Sequence, residues 1–394
     1  MRNIIITGGE LFNKGAQAMT FIAVDEMKKR FPDHKILVLS EMDLQRPKEE
    51  REQYVFGFIG WYPIKFARCQ TNSVSRGLCL LRNRKELLEA ENIYKNADLM
   101  VDVSGYALGS NWSEETCNHY LDHLEFAKAF HIPVYLMPQS FGPFEFQGKA
   151  GEKVEQRIRE LLPTAKAICA REQEGYQELK DRYHLQNVIL ANDMVVNNSG
   201  IDLNNIYGKV PAIELPDILP GSVAVIPNQR NYAAANESLV RKLHISMIDN
   251  LLQNDLTVYL LTHSDVDQEI CKELKREFCT DRRVVLLERE LNCIEFNELV
   301  KQFQFVVASR FHAIVHAFKN GVPCIALGWA TKYHDLMKQF GQERYMLDVR
   351  QQINEEDMGK AIQSIMKERD GQSSVILKRL SVLQEKDIFE IVDL

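Results

Sequence analysis

Short apolar runs recur along the chain, separated by longer segments in which apolar residues return every three or four positions. The runs in the first half are Ile4–Ile6, Ile36–Leu39, Leu99–Val103, Val134–Met137, Ala167–Cys169 and Val188–Leu190. Those in the second half are Val223–Ile226, Val258–Leu261, Val284–Leu287, Phe305–Val307 and Cys324–Leu327. Uninterrupted apolar runs of this length fit strands buried on both faces, and the helix-period segments between them fit crossover connections. The alternation lapses over 197–221, a stretch rich in Asn, Pro and Gly that reads as a linker. The pattern therefore predicts an α/β protein of two Rossmann-like, doubly wound domains, residues 1–200 and 201–394. Ligands of such sheets bind beyond the carboxyl ends of the strands, so a site in a cleft faced by both domains is expected. The sequence shows no internal repeat.

Composition narrows the class. With 394 residues, 45% hydrophobic and 26% charged, the chain can bury two ordinary cores and is neither disordered nor fibrous. Forty-eight Lys and Arg stand against 55 Asp and Glu, a net charge of -7, which argues against a nucleic-acid partner. The opening MRNIIITGGE has an apolar run too short for a signal peptide and reads as a buried strand entering a turn. No apolar stretch is long enough to span a bilayer. The eight cysteines are scattered without a C-x-x-C pair, and Cys169 and Cys324 read as small core residues. A reduced, cytoplasmic protein is expected. One stretch departs from the average: 54–85 carries six Lys and Arg, five aromatics among Phe, Trp and Tyr beyond Tyr54, and no Asp or Glu. It suits either an ordinary solvated insertion or peripheral contact with an anionic membrane face or a diphosphate-bearing acceptor.

The segments that follow strands carry the candidate chemistry. Gly8-Gly9-Glu10-Leu11-Phe12-Asn13-Lys14-Gly15 leads into a helix expected from about Ala16 to Arg30. Its glycines serve either a turn or a close approach to a ligand. Arg171 follows Ala167–Cys169 and either points into the cleft or makes an ion pair. After Phe305–Val307, Ser309 is expected to cap a helix that Gly321 closes, placing Arg310 and His312 in its first turn. A fixed cation, an imidazole and free backbone N–H groups there suit a phosphate or carboxylate. His312 and His316 are four apart, but no Glu follows His312 and no third ligand is evident, so no metal is expected and His316 reads as a packed helix residue. Lys332 follows Cys324–Leu327 and either reaches the same cleft or is solvated. Asn228-Gln229-Arg230 and Thr262-His263-Ser264-Asp265 follow two further strands. Asp265-x-Asp267 is either a metal-binding pair or, as expected here, the opening of a helix.

Taken in order, these segments resemble the polysaccharide pyruvyl transferase family over most of the chain. The resemblance rests on Asn13-x-Gly15, Ser104-Gly105, Gln139-Ser140-Phe141-Gly142-Pro143, Ala170-Arg171-Glu172, Asn192-Asp193, Ser309-Arg310-Phe311-His312 and the Lys332 segment. It implies a glycosyltransferase-B-like architecture, and transfer of pyruvate from phosphoenolpyruvate to a sugar as a ketal, with no metal or organic cofactor. It implies that Arg310 and His312 bind phosphoenolpyruvate in the second domain and that Arg171 assists from the first; Phe311 is expected beside them, and His312 is the candidate general acid or else a donor that orients the phosphate. Asn13, Gln139, Arg230, His263 and Lys332 complete the expected substrate-binding set. The acceptor is expected on the first domain, free or polyprenyl-diphosphate-linked. The sequence departs from the family at Ala16, where an acidic residue often stands, and at the glycine-poor turn Ser104-Gly105-Tyr106-Ala107. The base for the acceptor hydroxyl is thus open among Asp102, Asp193 and Glu10. Two other readings share the architecture: a nucleotide-sugar glycosyltransferase, and a non-catalytic sugar-binding relative.

Overall fold

A computed structural model describes residues 2–61, 84–351 and 355–394. The chain forms two units. The first comprises Met1–Leu11, Met19–Pro211 and Asp387–Leu394; the second comprises Phe12–Ala18 and Ala212–Lys386.

The first unit is built on a seven-stranded parallel sheet. Its strands are β1 (Asn3–Thr7), β2 (Lys35–Leu39), β3 (Gly57–Ile59), β4 (Ala97–Asp102), β5 (Val134–Gln139), β6 (Ala167–Ala170) and β7 (Val188–Leu190), in the order β3-β2-β1-β4-β5-β6-β7. β1 lies inside the sheet, where Ile4, Ile5 and Ile6 pair with Ile36, Leu37 and Val38 on one side and with Leu99, Met100 and Val101 on the other. All five residues of β1 are buried, because helices cover both faces and leave no polar side to the strand. The connections after β1 and β4 leave on opposite sides, so a crevice opens between their carboxyl ends. Gly8, at φ +70°, lets the two loops touch there: a Cβ on it would fall 2.1 Å from Ser104 Oγ.

The second unit repeats the plan with β8 (Val223–Ile226), β9 (Val258–Leu260), β10 (Val284–Leu286), β11 (Val306–Ala308), β12 (Cys324–Gly328) and β13 (Met346–Asp348), in the order β10-β9-β8-β11-β12-β13. Here the reversal falls between β8 and β11, whose Ala224, Val225 and Ile226 pair with Val306, Val307 and Ala308. All eleven expected strands are present. The two that the pattern did not flag, β3 and β13, are three-residue edge strands with incomplete burial, too short and too wet to leave a continuous apolar run.

The chain divides at Pro211–Ala212 instead of at 200–201, because the segment after the short helix Met194–Asn197 still packs on the first unit. Val55 donates to the Ile206 carbonyl (3.0 Å), and Tyr207 packs edge-on to Phe21 and tilted against Tyr54. The last eight residues also belong to the first unit, where Arg30 meets Asp387 and the Ile388 N–H donates to Asn197. Cys169 and Cys324 are core residues, and burial pushes the Cys169 thiol up to about 12. Of the acid-free basic stretch, 62–83 lies outside the described residues. No helix among the described residues is long and apolar enough to cross a membrane.

Candidate functional site

In the second unit the loops at the carboxyl ends of β8, β9, β11 and β12 bring most of the expected residues together. β11 runs into Ser309 and then the helix Phe311–Lys319. The N-cap is Arg310, not Ser309, and it makes no side-chain cap because its guanidinium is committed elsewhere. Nε and Nη2 of Arg310 donate to the two carboxylate oxygens of Asp267, both at 2.6 Å. Asp267 is fully buried and also accepts the Gln229 N–H (2.9 Å). This carboxylate precedes the helix Gln268–Glu277 without capping it; its work is to fix the fork of Arg310 and the loop after β8. The sequence placed Asp267 at a helix start, which it is, but not as the partner of Arg310. Its partner is 43 positions away, and nothing local in Asp265-x-Asp267 points to it.

The main chain beneath is tied down as well. The Ser309 carbonyl accepts from Asn228 Nδ2 (3.0 Å) and from the Tyr333 hydroxyl (2.9 Å), joining the ends of β8, β11 and β12. Gly321, at φ +68°, closes the helix as expected: Val322 donates to the Ala317 carbonyl (2.9 Å). Lys332, in the helix Thr331–Gln339, places Nζ 5.6–6.0 Å from the rings of Phe311, Tyr333 and Trp329. It is a half-buried cation steered by aromatic faces. Arg230 is exposed on the helix Gln229–Ala234.

The segment Phe12–Ala18 joins this group. Asn13 Oδ1 accepts the Gly15 N–H (3.0 Å) and its carbonyl accepts the Gln17 N–H (2.8 Å), so Asn13 starts the helix at Lys14, two residues earlier than expected. Asn13 also bridges Ser264, and the Lys14 N–H donates to the His263 carbonyl (3.4 Å). Gly15 packs directly on His312: a Cβ there would fall 2.4 Å from Nδ1 of the imidazole. Lys14 is a residue the sequence did not single out. It is buried, and burial depresses its ammonium pKa against the pull of Asp265, Glu290, Cys293 and Asp267.

His263 is buried edge-on to Phe296. Neither of its ring nitrogens has a hydrogen-bond partner among the described residues. Burial, reinforced by His316, Lys14, Arg310 and His312, holds it well below the usual histidine range, so it is neutral at pH 7. His316 packs in its helix with Nδ1 on Asn297 (3.1 Å), as expected. Among the described residues no group of three or more His, Cys, Asp or Glu is placed to hold a metal ion.

The expected residues of the first unit sit at its own carboxyl edge. Arg171 is buried and its donors are engaged: Nε on Glu172 (2.8 Å), Nη1 on Asp193 (2.7 Å), and Nη2 on Ser140 Oγ (2.6 Å) and the Gly105 carbonyl (3.4 Å). Burial works against its charge, but Glu172 and Asp193 outweigh it and raise its pKa. The structure thus makes Arg171 an internal tie between the loops after β4, β5, β6 and β7, where the sequence pointed to a substrate contact. Gln139 is likewise internal, donating to Asp102 (2.9 Å) and to the Met137 carbonyl (3.3 Å).

Comparison with known proteins follows this geometry. A family model described as polysaccharide pyruvyl transferase matches residues 13–331. No curated protein matches the chain. Among solved structures, a UDP-GlcNAc 2-epimerase from Methanocaldococcus jannaschii superposes with a TM-score of 0.55 at 14% identity, covering 97% of this chain and 99% of its own. The S. aureus MnaA–UDP structure gives 0.57 at 12% identity, covering 99% and 94%. UGT71G1 from Medicago truncatula, complexed with UDP-glucose, gives 0.54 at 12%, covering 100% and 95%. At such identities the likeness is one of fold: two parallel-sheet α/β domains of the glycosyltransferase-B kind.

Proposed function

We propose a function on one premise: the chain belongs to the polysaccharide pyruvyl transferase family, whose model matches residues 13–331. It is accordingly a transferase of polysaccharide biosynthesis. On our reading it moves pyruvate from phosphoenolpyruvate onto a sugar as a ketal, with the donor held by the second unit.

The observation that carries this reading is the group at the carboxyl edge of the second unit: Arg310 locked on Asp267, His312 against Gly15, buried Lys14, and Lys332 over Phe311. Phosphoenolpyruvate presents a phosphate and a carboxylate on one enol carbon, so it calls for fixed cations from more than one direction. Lys14, Arg310 and Lys332 come from three different segments of the chain, and Asp267 pre-sets the plane of the guanidinium. His312 gives a proton to the methylene carbon, which makes the neighbouring carbon an electrophile for the acceptor oxygen. Neutral His263 sits behind this cationic group without adding charge to it.

The test offers the protein phosphoenolpyruvate or UDP-sugars together with hexose acceptors, free and linked to farnesyl diphosphate. Release of inorganic phosphate from phosphoenolpyruvate, abolished in a folded His312→Ala variant, is the expected result. Consumption of UDP-sugar, or full activity in His312→Ala, would overturn it.

A further inference from the structure

We propose that Lys14 and His263 form the part of the donor site that takes a carboxylate, and so select a carboxylated enol phosphate over other phosphate esters. The inference rests on the pyruvyl-transfer reading above. Both residues belong to the second unit, and its main chain brings their segments together. The Lys14 N–H donates to the His263 carbonyl (3.4 Å), and Asn13 bridges Ser264. Gly15 lies on His312, where a Cβ would fall 2.4 Å from Nδ1. The His263 ring lies 6.2 Å from that of His316, one helical turn beyond His312.

Polar atoms of both side chains have no partner inside the protein. Lys14 is 3% exposed, yet its ammonium makes no hydrogen bond or ion pair among the described residues. His263 is 1% exposed, and neither ring nitrogen is hydrogen-bonded among them. Polar groups buried in this way are costly and therefore rare. Arg310, beside them, shows the usual solution: Asp267 takes its guanidinium with both oxygens. Lys14 lies deeper than Arg310 and has no such carboxylate; Asp265, Glu290 and Asp267 act on it only from beyond ion-pair distance. A cation and a neutral imidazole kept unsatisfied side by side in the fold are donors waiting for an acceptor.

The charge on that acceptor follows from the surroundings. Lys14 brings one positive charge, and neutral His263 brings an N–H donor without adding another. The acids that act on Lys14 would repel a phosphate dianion more strongly than a carboxylate. Burial sharpens the difference, since taking a dianion out of water costs more than taking out a monoanion. The phosphate therefore falls to Arg310 and Lys332, which are both less buried, and to the N–H groups at the start of the helix Phe311–Lys319.

The test measures, by calorimetry, the binding of two unreactive esters, phospholactate and isopropyl phosphate. They differ by a carboxylate in the first where the second has a methyl group. Wild type is expected to bind phospholactate about 10- to 100-fold more tightly. Lys14→Met keeps the reach of the side chain and removes the charge. It should bring that ratio to within about 3-fold while leaving isopropyl phosphate bound as in wild type. His263→Phe, which keeps a ring against Phe296, should lower the ratio in the same way. Equal loss of affinity for both esters in Lys14→Met, or an unchanged ratio, overturns the carboxylate assignment. The transfer reading then still stands if wild type releases phosphate from phosphoenolpyruvate. If Lys14→Met does not fold, His263→Phe decides: a fallen ratio supports the proposal and an unchanged one overturns it. Wild type that binds neither ester and releases no phosphate overturns the transfer reading and this proposal with it.

Discussion

Replacing Gly15 by Ala adds one methyl group, and the structure states where it goes. The new Cβ would lie 2.4, 2.6 and 2.7 Å from Nδ1, Cγ and Cβ of His312, where ordinary contact begins near 3.4 Å. The shortfall is about 1 Å, and the atoms include the root of the histidine side chain, which cannot swing aside cheaply. Overpacking of this kind costs about 1–3 kcal/mol. Against it, Ala is a better helix former than Gly by up to about 1 kcal/mol, and Gly15 lies in the first turn of a helix. The contact with His312 therefore decides the sign, and we expect a net loss of about 1–2 kcal/mol, or roughly 2–8 °C in Tm. A displacement of about 1 Å at a catalytic group costs on the order of 100-fold in rate, so kcat for phosphate release should fall by about that much while phosphoenolpyruvate still binds. One control isolates the cause. In a His312→Gly background all three crowding atoms are gone, and Gly15→Ala should become neutral or stabilising. Unchanged turnover together with raised stability in Gly15→Ala alone would refute the reasoning.

Other substitutions probe the remaining parts. Asp267→Ala leaves Arg310 without its carboxylate and should cost about 3–5 kcal/mol, with weaker phosphoenolpyruvate binding by calorimetry, since the fork is no longer held. Arg171→Lys replaces a planar fork by a point charge that cannot span Glu172, Asp193 and Ser140; we expect about 3 kcal/mol lost in urea titration. Glu10 carries a raised pKa, so its folded form binds the proton more tightly than the unfolded chain, and its charge opposes folding as pH rises from 4.5 to about 7. Glu10→Gln should therefore stabilise the protein at pH 8, by about 1–3 kcal/mol, and leave it unchanged at pH 4. His123 and His244, both held at about 4 by burial, and His263, held well below 6.5, act in the opposite direction. Their contribution is full above 6.5 and is lost as pH falls below it, so the melting temperature should decline steeply between pH 6.5 and 4.5.

How much of this was legible in advance can be followed through particular residues. Ile4–Ile6 and Val223–Ile226 announce buried parallel strands because a strand covered on both faces has no polar alternation to keep. Gly57–Ile59 and Met346–Asp348 leave no such trace, because edge strands are short and half-wet. Arg310 and His312 were recognisable as anion-binding candidates because both flank one helix start, and a helix start is a local feature. Lys14 was unremarkable until burial among Asp265, Glu290, Cys293 and Asp267 gave its charge a setting.

The sequence by itself determined the class of fold, the succession of strands, the family, and the positions that bring cations to a strand end. These depend on residues close in the chain, through periodicity, helix starts and glycine turns. Only the tertiary structure decided what each charged side chain is free to do. Arg171 is tied inside the first unit by its neighbour Glu172 and by groups 22 to 66 positions away, Arg310 is aimed by an aspartate 43 positions away, and Glu10 accepts no hydrogen bond among the described residues. A charge takes its role from the partners that desolvate or neutralise it, and those partners are assembled by packing, not by adjacency in the chain.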